Sequence, residues 1–103
     1  MKIKQGVCIT GIRPEMVVGL MVVNSIFTEL GYELVITCGL DGKHSLTSLH
    51  YAGAAVDIRT RDMTTSDIGE AMRMISAALP NDFDIIYEGN HFHLEWQPRK
   101  PNG

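Results

Sequence analysis

The chain is 103 residues long, 45% apolar and 20% charged, with a net charge of −3. That length bounds it to one domain, near the small end of what folds around a single core, and the composition excludes a disordered chain. No basic block points to nucleic acid or an anionic membrane, and no apolar run is long enough for membrane insertion, since Val17 to Phe27 is short and broken by Asn24 and Ser25.

In chain order, Met1 to Gly6 begins basic, but few apolar residues follow before Thr10-Gly-Ile-Arg13. No secretory signal is expected, and the chain is expected to be synthesised in the cytoplasm. Pro14 and Glu15 open a helix, because proline suits the first turn and glutamate complements the helix dipole. The helix is expected to reach Leu30, where Gly31 ends it, with Met16, Leu20, Val23, Ile26, Phe27 and Leu30 as its core face.

Tyr32 to Cys38 is β-branched and reads as a strand, and Gly39 to Leu49 as a polar loop. Ala54 to Thr60 is a second strand, carrying Asp57. Thr64, Thr65 or Ser66 caps the next helix, whose face is Ile68, Met72, Ile75 and Leu79 and which Pro80 stops. Phe83 to Tyr87 and Phe92 to Trp96 are two further strands, with Gly89-Asn90 marking a hairpin turn between them. The expected fold is α+β, a small antiparallel sheet with helices packed on one face. Residues 1–97 form the single domain and 98–103 a frayed tail. Cys8 and Cys38 lack CxxC spacing and are expected as buried thiols, with a disulfide left open should strand pairing bring them together.

Two motifs carry chemistry. Ser48-Leu-His50-Tyr-Ala-Gly53-Ala-Ala55-Val-Asp57 reads S-x-H-x-x-G-x-A-x-D, and Glu88-Gly-Asn-His91-Phe-His93 reads E-x-x-H-x-H. Two imidazoles and a carboxylate are the ligand set of a catalytic zinc ion, and a further carboxylate beside them serves as a proton shuttle. Asp57 lies in the apolar run Ala-Val-Asp-Ile, where a buried carboxylate requires a partner or a metal. His50 and Asp57 are therefore expected as zinc ligands. His91 and His93 flank Phe92, so both imidazoles point to one face of the strand and either can be the third ligand. Glu88 is the candidate general base and acid. Gly53 lets the chain turn, and Ala55 keeps the pocket side of its strand narrow.

At these residues, over about Glu33 to Trp96, the chain resembles the zinc D,D-peptidases of the M15 type, which share a fold with the Hedgehog signalling domain. The resemblance implies a zinc-dependent peptidase acting on peptidoglycan stem peptides, either a D-Ala-D-Ala carboxypeptidase or an L-Ala-D-Glu endopeptidase. It also implies a phage-type lysis enzyme that is monomeric and reaches the wall after release. Relatives with an H-x-H pair make His93 the third ligand and leave His91 to hydrogen-bond the tetrahedral intermediate. Relatives with a plain E-x-x-H motif make His91 the ligand instead. Ser48 would contact substrate or orient its loop, and Arg59, Arg61 and Arg13 are candidates for a substrate carboxylate. Many relatives carry an Arg in the loop after the first strand. Here Cys38 to Ser45 has none, and Lys43 and His44 are the available substitutes. The alternative reading is a non-catalytic zinc-binding structural or virion module, as Hedgehog-like domains keep the site without a known hydrolytic role.

Overall fold

In the computed structural model, which describes residues 1–39 and 53–97, two helices share a core with one face of a five-stranded sheet. The chain forms β1 (Lys2–Ile3), α1 (Pro14–Leu30), β2 (Val35–Cys38), β3 (Ala55–Arg59), α2 (Thr65–Ala78), β4 (Phe83–Tyr87) and β5 (His91–Trp96). The sheet order is β1-β2-β3-β5-β4. All pairings are antiparallel except β1 with β2, so the sheet is mixed rather than purely antiparallel. The two residues of β1 are too few to show a periodicity in sequence. They are held by Lys2 N–H donating to the Leu34 carbonyl at 2.8 Å and Lys4 N–H to the Ile36 carbonyl at 2.9 Å.

The helix α1 has the expected bounds. Gly31 stops it by taking φ 90°, and Tyr32 N–H reaches the Phe27 carbonyl at 2.8 Å, the long bond of a Schellman cap. Of the three capping candidates for α2, Thr64 is the one used, its hydroxyl accepting from Asp67 N–H at 3.1 Å. Both helices bury their apolar stripes against one side of the sheet: Met16, Leu20, Val23, Ile26 and Phe27 from α1, Ala71 and Ile75 from α2. The sheet contributes Ile36, Val56, Ile58, Phe92 and Leu94. Phe92 meets Phe27 edge-on at 6.1 Å. Close packing also explains Gly19 inside α1, where a Cβ would stand 2.6 Å from the Phe83 ring.

Strand alternation sends the other residues of β3 and β5 to the opposite face. Register pairs Ala55 with Glu95, Asp57 with His93 and Arg59 with His91, while Val56–Leu94 and Ile58–Phe92 stay in the core. A bulge in β2 between Ile36 and Cys38 shifts the pairing, so Ile36 opposes Ile58 on the core side but Cys38 opposes Asp57 on the outer side. Cys38 is half-buried, and Cys8 is exposed, where sequence favoured two buried thiols. Ser48, His50, Lys43, His44 and the 98–103 tail lie outside the described residues. Among the described residues, no helix is long and apolar enough to cross a membrane.

Gly53 enters β3 at φ 72°, with its carbonyl accepting from Arg13 N–H at 3.0 Å. A Cβ there would lie 2.7 Å from the Gly11 carbonyl oxygen. Gly53→Ala should therefore lower unfolding stability by about 1–3 kcal/mol from the backbone conformation alone, with the clash adding to it. Urea titration checks this, and an unchanged midpoint would show that the Gly11–Arg13 segment yields at no cost.

Candidate metal centre

The hairpin between β4 and β5 builds half of the site. Gly89 takes φ 89° while among the described residues no non-glycine has positive φ, as in a two-residue turn with glycine first. Glu88 N–H donates to the His91 carbonyl at 2.9 Å and closes the turn. Glu88 and His91 thus become neighbours at the tip, with Glu88 Oε1 3.2 Å from His91 Nε2. Asn90 Oδ1 hydrogen-bonds His91 Nδ1, the kind of outer acceptor that fixes the tautomer of a ligating histidine. Asn90 carried only a turn signal in sequence, so its second use was not legible there.

The centre of the sheet supplies the rest. His93 Nδ1 lies 3.0 Å from Asp57 Oδ1 and 3.8 Å from Glu88 Oε1, and His91 Nε2 lies 3.8 Å from Asp57 Oδ2. Two carboxylates and two imidazoles converge on one point of the outer face. Asp57, Glu88 and His91 each offer one donor atom, all within 4.8 Å of one another. This close trio differs from the ligand set expected from sequence: it contains Glu88 and His91, while His93 is bonded to Asp57. His50 lies outside the described residues, as does Ser48.

The donor set fits a small dication. Tetrahedral donors about 2.0–2.1 Å from zinc stand about 3.4 Å apart, and the four separations above span 3.0 to 3.8 Å. With Nδ1–H of His91 given to Asn90, the Nε2 lone pair faces two carboxylates. Lone pair against carboxylate is unfavourable unless a proton or a cation lies between them.

The Asp57 hydrogen bond holds the His93 imidazole above its ordinary pKa. Burial opposes this, and the charges of Asp57, Glu95 and Glu88 reinforce it. Arg59 stands across from His91 on the same face, whereas Arg13 lies over the Trp96 ring at 5.7 Å and Ala55 is buried. Thr37, Cys38 and Lys4 also border the site. No sequence signal marked Lys4, which arrives through the β1 pairing.

No protein-family model matches the chain. It is 39% identical over 66 residues to the Indian hedgehog protein of Gallus gallus, a stretch covering 62% of this chain and 15% of that protein. It is 36% identical over 74 residues to the Sonic hedgehog protein of Danio rerio, covering 70% of this chain and 17% of that protein. The chain thus spans less than a fifth of either relative. Fold and site together define a small α+β domain with a possible metal centre, similar over about two thirds of its length to a part of the hedgehog proteins.

In the metal-free protein, the raised His93 pKa fixes the sign of a pH effect. The Asp57–His93 pair contributes its full stability below the unfolded histidine value of about 6.5 and loses it as pH rises through the higher folded value. Melts of chelator-treated protein should show a component that declines above about pH 6.5 and vanishes in Asp57→Asn. An identical pH profile in Asp57→Asn would remove the pair as its source.

Proposed function

We propose that the chain is a zinc-dependent peptidase of the M15 type that hydrolyses peptidoglycan stem peptides, at an L-Ala-D-Glu bond or one ending in D-alanine. The observation that carries this reading is the convergence of Asp57, Glu88, His91 and His93 on one sheet face. The hedgehog similarity supports it through the shared fold of the two groups. His50, Asp57 and His93 are the proposed ligands.

Zinc held there would act as a Lewis acid toward the scissile carbonyl and acidify water to a pKa of about 7. Glu88, exposed at the hairpin tip, takes a proton from the attacking water and delivers it to the leaving amine. His91, held by Asn90, donates from Nε2 to the oxygen that gains charge in the tetrahedral intermediate. That role uses a proton on Nε2, with Nδ1–H given to Asn90. A phage-type lysis role, with wall access after release, follows from the same reading.

The hedgehog matches also favour a second reading, a zinc-holding module without turnover. Digestion of purified muropeptides with mass spectrometry of the products separates the two. A new amine end at one stem-peptide bond supports the peptidase, and intact muropeptides with fully zinc-loaded protein favour the module.

Metal analysis should find one zinc per chain. His50→Ala, Asp57→Ala and His93→Ala should each lose most of it, whereas His91→Ala should retain it and lose about a hundredfold or more in rate. Zinc lost from His91→Ala and kept in His93→Ala would instead make the close trio of Asp57, Glu88 and His91 the ligand set.

Glu88→Gln keeps the side-chain shape and removes the base. The variant should fold, hold zinc and bind stem peptide, with turnover reduced by about a hundredfold to ten-thousandfold. Steady-state kinetics on the muropeptide that wild type cleaves provide the measurement. An unchanged rate would take Glu88 out of the proton path.

A further inference from the structure

We propose that the groove beside the metal donors is a carboxylate-recognition site, in which Arg59, with Arg61 and Lys4 at its rim, holds a carboxylate of an acidic peptide next to the bond being cut. This deepens the peptidase reading and rests on it. The groove is a solvent-open depression of about 350 Å³, bordered by Lys4, Thr37, Arg59 and Arg61 together with Asp57 and His91. The last two belong to the donor cluster, so groove and metal centre are continuous.

Placement follows from the pleat. Arg59 is two residues beyond Asp57 on the same face and directly opposite His91. Residues two apart in a strand stand roughly 6.6 Å apart, and an extended peptide advances about 3.3–3.6 Å per residue. A carboxylate held by Arg59 therefore belongs to a residue about one or two positions from the scissile bond.

Charge points the same way. Six of the chain's nine Lys and Arg residues are described, and three of these six line this one groove although the whole chain is net negative. Arg73 pairs with Glu70 and Arg13 lies over Trp96, but Lys4, Arg59 and Arg61 make no ion pair among the described residues. A bound dication would balance the charges of Asp57 and Glu88, leaving Lys4, Arg59 and Arg61 as the cations that border the groove. Arg59 is half-buried on its strand, and a guanidinium fork suits a carboxylate in two-pronged contact, so it is the principal contact. Arg61 and Lys4 are exposed and act at longer range.

The test is calorimetric titration of zinc-loaded Glu88→Gln protein, so that bound peptide is not consumed. Two probe pairs distinguish the source of the carboxylate: N-acetyl-L-Ala-D-Glu amidated at its γ-carboxyl against the α,γ-diamide, and N-acetyl-D-Ala-D-Ala against its C-terminal amide. One pair should show a carboxylate preference of about tenfold to a hundredfold, the scale of a hydrogen-bonded charge. Adding Arg59→Gln should abolish that preference while zinc content and amide affinity stay unchanged. Adding Arg61→Gln should weaken it, and salt should reduce it. The proposal is overturned if neither carboxylate is preferred, or if the preference survives Arg59→Gln, which would assign the carboxylate to the metal. Wild-type turnover is scored separately. An Arg59-dependent preference without cleavage would retain the site and remove the peptidase. Cleavage without that preference would do the reverse.

Discussion

Asp57 and His93 oppose each other across β3 and β5 because, one step away, Ile58 opposes Phe92 and Val56 opposes Leu94. All four of those apolar residues are fully buried. A slip of one residue would send Asp57 or His93 into the core and bring Phe92 or Ile58 out, a change no sheet with one covered face tolerates. The hydrophobic sorting of the two central strands thus fixes the positions of the polar donors. The 3.0 Å hydrogen bond between Asp57 and His93 is a product of that register as much as a cause of it.

The outer half of the site is held differently. Glu88 and His91 lie at the hairpin tip, where a two-residue turn rather than core packing sets their separation. Tyr87, Gly89 and Asn90 beside them are exposed, and the tip is tied by the Tyr87 hydroxyl donating to the Gly89 carbonyl at 2.7 Å and by Asn90 on His91. One pair of donors is therefore anchored by the core and the other by a turn. Local openings of the hairpin tip cost less than openings of β3 and β5, since fewer buried contacts must break.

Much of this was legible in the sequence because it is periodic or locally encoded. The apolar stripe of α1, its Pro14 start and Gly31 stop, the Gly89-Asn90 turn and the shared face of His91 and His93 all follow from spacing and from residue chemistry at named positions. The strand read as Tyr32–Cys38 is shorter, Val35–Cys38, because hydrogen-bonded neighbours set a strand's length and β1 offers only two residues. Neither β1 nor the bulge that turns Cys38 outward has a compositional signal, since both arise from pairing between distant segments. The same holds for Lys4 in the groove. Asn90 was legible as a turn former but not as the partner of an imidazole, because one side chain served both.

The two carboxylates at the centre are chemically alike and differ in surroundings. The Asp57 side chain is 17% exposed and bonded to His93, while that of Glu88 is 48% exposed at the tip. A group that must hold an ion in fixed geometry gains from rigid anchoring, and a group that must carry a proton between two partners needs freedom to swing. In the proposed reaction these demands fall on Asp57 and Glu88 respectively, although the donor distances alone would allow both as ligands. The groove follows the same division. Arg59 shares the rigid strand of Asp57, so a carboxylate held there is positioned relative to the metal by the β3 backbone and not by the hairpin. Substrate placement and metal placement would then depend on one strand, and the moving part of the reaction would be left to the turn.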